Sequence, residues 1–447
     1  MNALIRPGFA RILAAAAFTL SAPGAHAFCG FYVGKADANL FNDASQVVMV
    51  RDGDRTTITM RNQYEGDLKE FAMVVPVPEV LAEESIKVVD DVLFQRIDAY
   101  SAPRLAEYYD ANPCHALRER KSMLGRLPQS LAMDAAQLKV EEDRGVTVEA
   151  TYTIGEYDVV ILSAKESSGL EIWLRENGYR IPEGAAQALA PYIRQDLKFF
   201  VAKVNLAEQA KTGSTYLRPM QFSFHTEKFM LPIRLGMLNA RGPQDLVLWV
   251  LTRTGRVEAT NYRTIRLPAN MDIPTYVKGD FRTFYKALFD TQAKREDYRV
   301  LFTEYVWNMS WCDPCAANPL TPAELRGLGV DWVTADGRRA ARAQPVMLTR
   351  LHVRYTAETF PEDLVFQETK DRANYQARYV LRHPAKVKPD ACPAAGPYLD
   401  GVAARQEREA KVLATLTEWD VDEIRDRMGI TRQQSRWWEE WWVGMAP

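Results

Sequence analysis

The chain has 447 residues, 47% of them hydrophobic, with 56 lysines and arginines against 58 acids for a formal charge of −2. That is apolar material for a large core and length for two or three domains. Charge so evenly balanced excludes the basic footprint of a nucleic-acid-binding protein, and no nucleic acid is expected as a partner.

Residues 1–27 carry Arg6 and Arg11, an apolar run from Ile12 to Leu20, and the small-x-small triplet Ala25-His26-Ala27. This is the plan of a secretory signal peptide cleaved after Ala27, its apolar run too short to span a bilayer. The residues before Cys29 lack the small neighbour that lipidation of a cysteine needs. The mature chain is therefore expected to begin at Phe28 and to be periplasmic or secreted. No later run approaches the ~20 apolar residues of a membrane helix, so no transmembrane segment is expected in it. Loss of Arg6 and Arg11 takes its formal charge to −4.

From Gln46 the pattern turns to strands. Runs at 46–50, 55–61 and 70–75 are separated by Asp52-Gly53 and Glu65-Gly66-Asp67, which predicts an antiparallel meander. The middle run sets Thr56, Ile58 and Met60 on one face and Arg55, Thr57, Thr59 and Arg61 on a solvated one. The third is apolar on both faces, as a covered strand is, and closes on Pro76 and Pro78, which cannot donate to a neighbour. Residues 88–109 read as a helix broken by Pro103, 121–131 as loop, and 146–152 with 157–162 as strands turning at Gly155. One helix runs through Leu170, Trp173 and Leu174 to Asn177-Gly178, another through Leu189, Tyr192 and Ile193. Strands resume over 199–206 and 221–238, and 245–262 reads as a second hairpin turning at Thr254-Gly255. A helix at 285–293, strands at 301–307, 346–355 and 375–381, and three helices beyond Gly401 complete the chain.

Short helices between hairpins, without a βαβα rhythm, predict an α+β fold of mainly antiparallel, sandwich-like sheets with a C-terminal helical appendage. The expected domains are a core over 28–395, divisible into 28–164 and 165–395, and a helical segment over 396–447. Six short motifs are distinctive together: Phe28-Cys-Gly-Phe-Tyr32, Phe71-Ala-Met-Val-Val-Pro-Val-Pro78, Tyr157-Asp-Val-Val-Ile-Leu-Ser-Ala164, Trp173-Leu-Arg-Glu-Asn-Gly-Tyr179, Thr260-Asn-Tyr-Arg-Thr264 and Trp311-Cys-Asp-Pro-Cys315. At these points the chain resembles the bacterial domain-of-unknown-function family 2330, over essentially the whole mature sequence. What the resemblance implies is an exported bacterial protein; it brings no activity and no functional residues to carry over.

The five cysteines all fall in the exported part, where oxidation is the rule. Cys29 with Cys114 and Cys312 with Cys315 are the expected pairs, leaving Cys392 unpaired; in the rival pairing Cys392 takes one of the Cys-x-x-Cys sulfurs. Trp311-Cys-Asp-Pro-Cys315 has the form of a thioredoxin-like redox motif, yet Pro319 and Pro322 forbid the long helix that would stabilise a Cys312 thiolate. A structural bridge is the preferred reading, redox catalysis through Cys312 and Cys315 the second. The mature histidines, His115, His225, His352 and His383, form no paired helical motif. Zinc on Cys312, Cys315 and either Cys114 or His115 would compete with oxidation of the same thiols. No metal, other cofactor or catalytic residue is assigned.

Trp437, Trp438, Trp441 and Trp442 share one face of the last helix with Glu439 and Glu440 opposite, so the face is expected to dock on the protein's own body. Peripheral membrane contact through it is the alternative, disfavoured by acids where anionic lipid wants lysine. The sequence thus supports an exported, non-enzymatic binding or envelope-associated scaffold, with thiol-disulfide exchange as the competing class and no partner indicated.

Overall fold

Strands Phe41–Asp52 and Arg55–Glu65 form the expected hairpin, with Asp52 opposite Arg55 and Gly53 at φ +62 in the turn. The structure, a computed structural model, describes residues 31–35, 41–65, 71–114, 146–177, 179–182, 184–212, 217–240, 242–311, 313, 317–333 and 344–430. The third run, Phe71–Val77, does not complete a meander. It crosses to a second sheet, between Phe31–Lys35 and Lys198–Val204. Its two apolar faces require this, because both are covered there: Met73 and Val75 on one side, Ala72 and Val74 on the other. Phe31–Lys35 accompanies it only from Phe71 to Val74, so among the described residues Pro76 has one edge that asks for no donor.

The second sheet has six strands, all antiparallel, in the order Val146–Ile154, Tyr157–Ala164, Lys198–Val204, Phe71–Val77, Phe31–Lys35, Tyr179–Arg180. The larger one runs Arg263–Arg266, Val300–Asn308, Met347–Tyr355, Gln244–Thr252, Phe41–Asp52, Arg55–Glu65, Met220–His225, Ile86–Val88, with Tyr375–Gln376 added beside Val300–Asn308. Both sheets draw strands from either side of residue 164. The main core fills the space between them, from Val47, Met49 and Leu248 on one sheet to Val75, Ile161 and Phe200 on the other. Helices Ser167–Glu176 and Ala185–Ile193 cover the far face of the six-stranded sheet. Helices Val92–Ser101, Phe281–Arg295 and Ala395–Thr417 cover that of the larger sheet. The result is an α+β molecule of four layers with mainly antiparallel sheets and C-terminal helices.

Several expectations are corrected. The polar face of Arg55–Glu65 is buried at Thr57 and Thr59, where Gln221 bridges Thr59 Oγ1 to the carbonyl of Gly327 at 2.8 and 2.9 Å. Gly329, at φ +95, passes so close to Thr57 that a Cβ there would collide with it. Helix 88–109 is only Val92–Ser101: Pro103 holds Ala102 extended, and Arg104–Tyr109 is a strand parallel to Arg378–His383. The second hairpin fails because Gln244–Thr252 has no free edge, lying between Phe41–Asp52, to which it is parallel, and Met347–Tyr355. Val257–Ala259 pairs instead with Leu364–Glu368. The 375–381 strand is split between two sheets at Ala377. Among the described residues no helix is long and apolar enough to cross a membrane.

Candidate functional site

Strand Met347–Tyr355 alternates with a period of two. Leu351, Val353 and Tyr355 enter the core between the sheets, so Arg350, His352 and Arg354 emerge on the opposite face, under the helices. Their partners come from adjoining strands. In Val300–Asn308 the pairing slips between Thr303 and Tyr305, a bulge that leaves Glu304 unpaired in the ladder beside Arg350. The bulge turns Glu304 and Tyr305 to the same side. Both meet groups on the helical face, Glu304 at Arg350 and His352 and Tyr305 at Tyr100.

Glu304 is fully buried and accepts from Arg350 Nε at 2.5 Å, from His352 Nδ1 at 2.7 Å and from the Tyr285 hydroxyl. Burial alone would push its carboxyl up, but Arg350, His352 and the Tyr285 hydrogen bond outweigh it and hold the group at about 2. Burial and the Glu304 charge push Tyr285 well above the ordinary phenol, so it stays a donor. An ionised Glu304 can only accept, which puts the shared proton on His352 Nδ1. The imidazole stacks on Phe289, centroids 3.8 Å apart.

Arg350 also reaches Asp98 at 2.6 Å and lies over Trp249, whose indole N–H donates to Ser101 Oγ at 2.8 Å. Arg354 is held by both oxygens of Asp245 at 2.7 Å and by Asp290, and packs over the Phe289 ring. These carboxylates raise both guanidinium groups against the opposing effect of burial. The network forms a polar seam between two apolar clusters, one around helix Val92–Ser101 and one around helix Phe281–Arg295. A cavity of about 450 Å³ opens over it. Ala102, Pro103, Phe281, Tyr285 and Phe289 line it, and Arg282 and Lys286, both exposed, mark its mouth.

The family model for uncharacterized proteins conserved in bacteria, DUF2330, matches residues 23–367. The chain belongs to this family. No curated protein and no solved structure matches it. The DUF2330 match takes in every residue of the network and the cavity, and ends before the two C-terminal helices.

In this DUF2330 protein the residues singled out in the sequence scatter. Cys29, His115, Cys312, Cys315 and the tryptophans at 437, 438, 441 and 442 lie outside the described residues. Cys114 is bonded to Cys392, so the expected Cys29–Cys114 pair and the free Cys392 are both corrected. The reason is the parallel pairing of Arg104–Tyr109 with Arg378–His383. Two strands running the same way side by side deliver their continuations to the same end, where Cys114 and Cys392 follow the strand ends Tyr109 and His383 in the loops beyond. With that sulfur spent, Cys114 is no zinc ligand. Asp313, inside the Cys-x-x-Cys motif, is buried and accepts from Tyr305 at 2.9 Å and from Gln376. His225 is exposed near Asp54, His383 pairs with Glu107, and of the described histidines only His352 joins the site.

Nothing in the sequence reading marked Glu304, Arg350 or Arg354. The signal was there, in three basic residues at i, i+2 and i+4 of an apolar strand. Such a row demands buried partners.

Proposed function

We propose that this DUF2330 protein works outside the cytoplasm as a non-catalytic binding protein, and that the cavity over the Glu304–Arg350–His352 network is its ligand site. The observation that carries this is a mostly apolar pocket on a floor of fully paired charges. Such a floor is rigid and gives a ligand a fixed shape to meet. Glu304 has too little proton affinity to serve as a general base near neutrality, which favours binding over turnover. The 1–27 leader and the Cys114–Cys392 bridge support an oxidising location.

The test is a small-molecule panel read by thermal stability, on the wild type and on Ala102→Trp, which fills one wall. Ligands that raise Tm only in the wild type support the reading. Insulin disulfide reduction by the purified protein, abolished in Cys312→Ser, would replace it with thiol-disulfide exchange. N-terminal sequencing of the exported form should begin at Phe28, and retention of 1–27 would overturn the location.

A further inference from the structure

The charges around the cavity are not all spent alike. Inside, Arg350 faces Glu304 and Asp98, and Arg354 faces Asp245 and Asp290. An anion pushed to that depth would meet guanidinium groups already engaged and carboxylates beside them. At the mouth the balance reverses. Arg282 and Lys286, one helical turn apart on Phe281–Arg295, have no acidic partner among the described residues. Their eight N–H donors are the unspent polar capacity of the rim. The helix phase that puts them there also turns Phe281, Tyr285 and Phe289 into the cavity, at i, i+4 and i+8.

Resting on the pocket reading above, we infer that the ligand is a small organic anion with an apolar, ring-sized body. The body lies against Phe281, Ala102 and Pro103, and the oxyanion faces outward between Arg282 and Lys286. The orientation follows from the charges: among the described residues of the lining, the unpaired cations are on the exposed side and the apolar walls are inside. A bare inorganic anion would leave those walls unused, and a cationic ligand would have to pass two cations on entry.

The full-length protein is titrated by equilibrium dialysis at low salt with 2-naphthoate and its neutral isostere 2-naphthamide, and in parallel with inorganic phosphate. The variants are Arg282→Glu/Lys286→Glu, two exposed positions of the helix, and Ala102→Trp. Naphthoate should bind the wild type about tenfold more tightly than naphthamide, phosphate should not compete, and the preference should shrink with salt and reverse in the charge-reversed variant. Ala102→Trp should lose both naphthalenes. Equal affinity for the two probes, unchanged by charge reversal, overturns the anion inference and leaves the pocket standing. Failure of naphthoate to bind at millimolar concentration overturns it as well. Undiminished binding of both probes to Ala102→Trp removes the pocket itself, and with it the function proposed above.

Discussion

Glu304 is a charged group with no contact to water, kept there by three donors on two elements: Tyr285 from a helix, and Arg350 and His352 from a neighbouring strand on successive same-face positions. Removing one member of such a set strands the others, at a cost on the order of 3 kcal/mol. Glu304→Gln keeps the shape and loses the charge, so it should lower unfolding free energy by about that amount at pH 7. The dependence on pH has a definite sign. A carboxyl at about 2 in the fold, against an ordinary 4.5, stabilises fully above pH 4.5 and progressively less as pH falls toward 2. Denaturant titrations should therefore show the gap between wild type and Glu304→Gln at pH 7 narrowing by pH 3. A gap of constant size would mean that Glu304 acts through packing alone.

The C-terminal helix Ala395–Thr417 carries the opposite case. Its Glu409 is buried with Oε1 unbonded and 3.5 Å from Arg405 Nε, while Arg405 is committed to Asp110. Burial pushes the Glu409 carboxyl up to about 7, against the opposing pull of Arg405. A raised carboxyl favours the fold in its neutral form, so stability falls as pH rises from the ordinary 4.5 through 7. Glu409→Gln should match the wild type at pH 4 and be more stable at pH 8, by up to about 2 kcal/mol. Thermal melts at the two pH values decide it, and a variant less stable at pH 8 would show the carboxylate to be needed.

The amphipathic pattern that reveals this helix was plain in Val412 and Leu416, as were the hairpins at Gly53 and Gly155. Strand partners were not. The sequence states that Phe71–Val77 and Gln244–Thr252 are apolar on both faces, but not which strand each edge will take, and that choice belongs to the whole sheet. The site was hidden for the same reason. Glu304 becomes a hub only through a bulge and a register that bring 350 and 352 beside it.

Across the whole molecule, the Cys114–Cys392 bridge joins the family-matched body to the segment that follows it, spanning 278 residues. Cross-links over long loops stabilise chiefly by restricting the unfolded chain. Cys114→Ser and Cys392→Ser should each cost about 3–5 kcal/mol, and the double variant no more than either alone. Reductant should bring the wild type to the same level. Single variants as stable as the wild type would show that packing alone holds the C-terminal helices.

The same bridge imposes an order on biogenesis. On the proposed export route a chain threaded N-terminus first delivers Cys114 to the oxidising side long before Cys392, and Cys29, Cys312 and Cys315 all emerge in between or ahead. The native bridge is the last that can form, and every earlier one involving Cys114 has to be undone by thiolate attack, a reaction of seconds to hours. On that route, cells with less capacity to reshuffle disulfides should accumulate less of the folded protein, a dependence the Cys114–Cys392 bridge alone would impose.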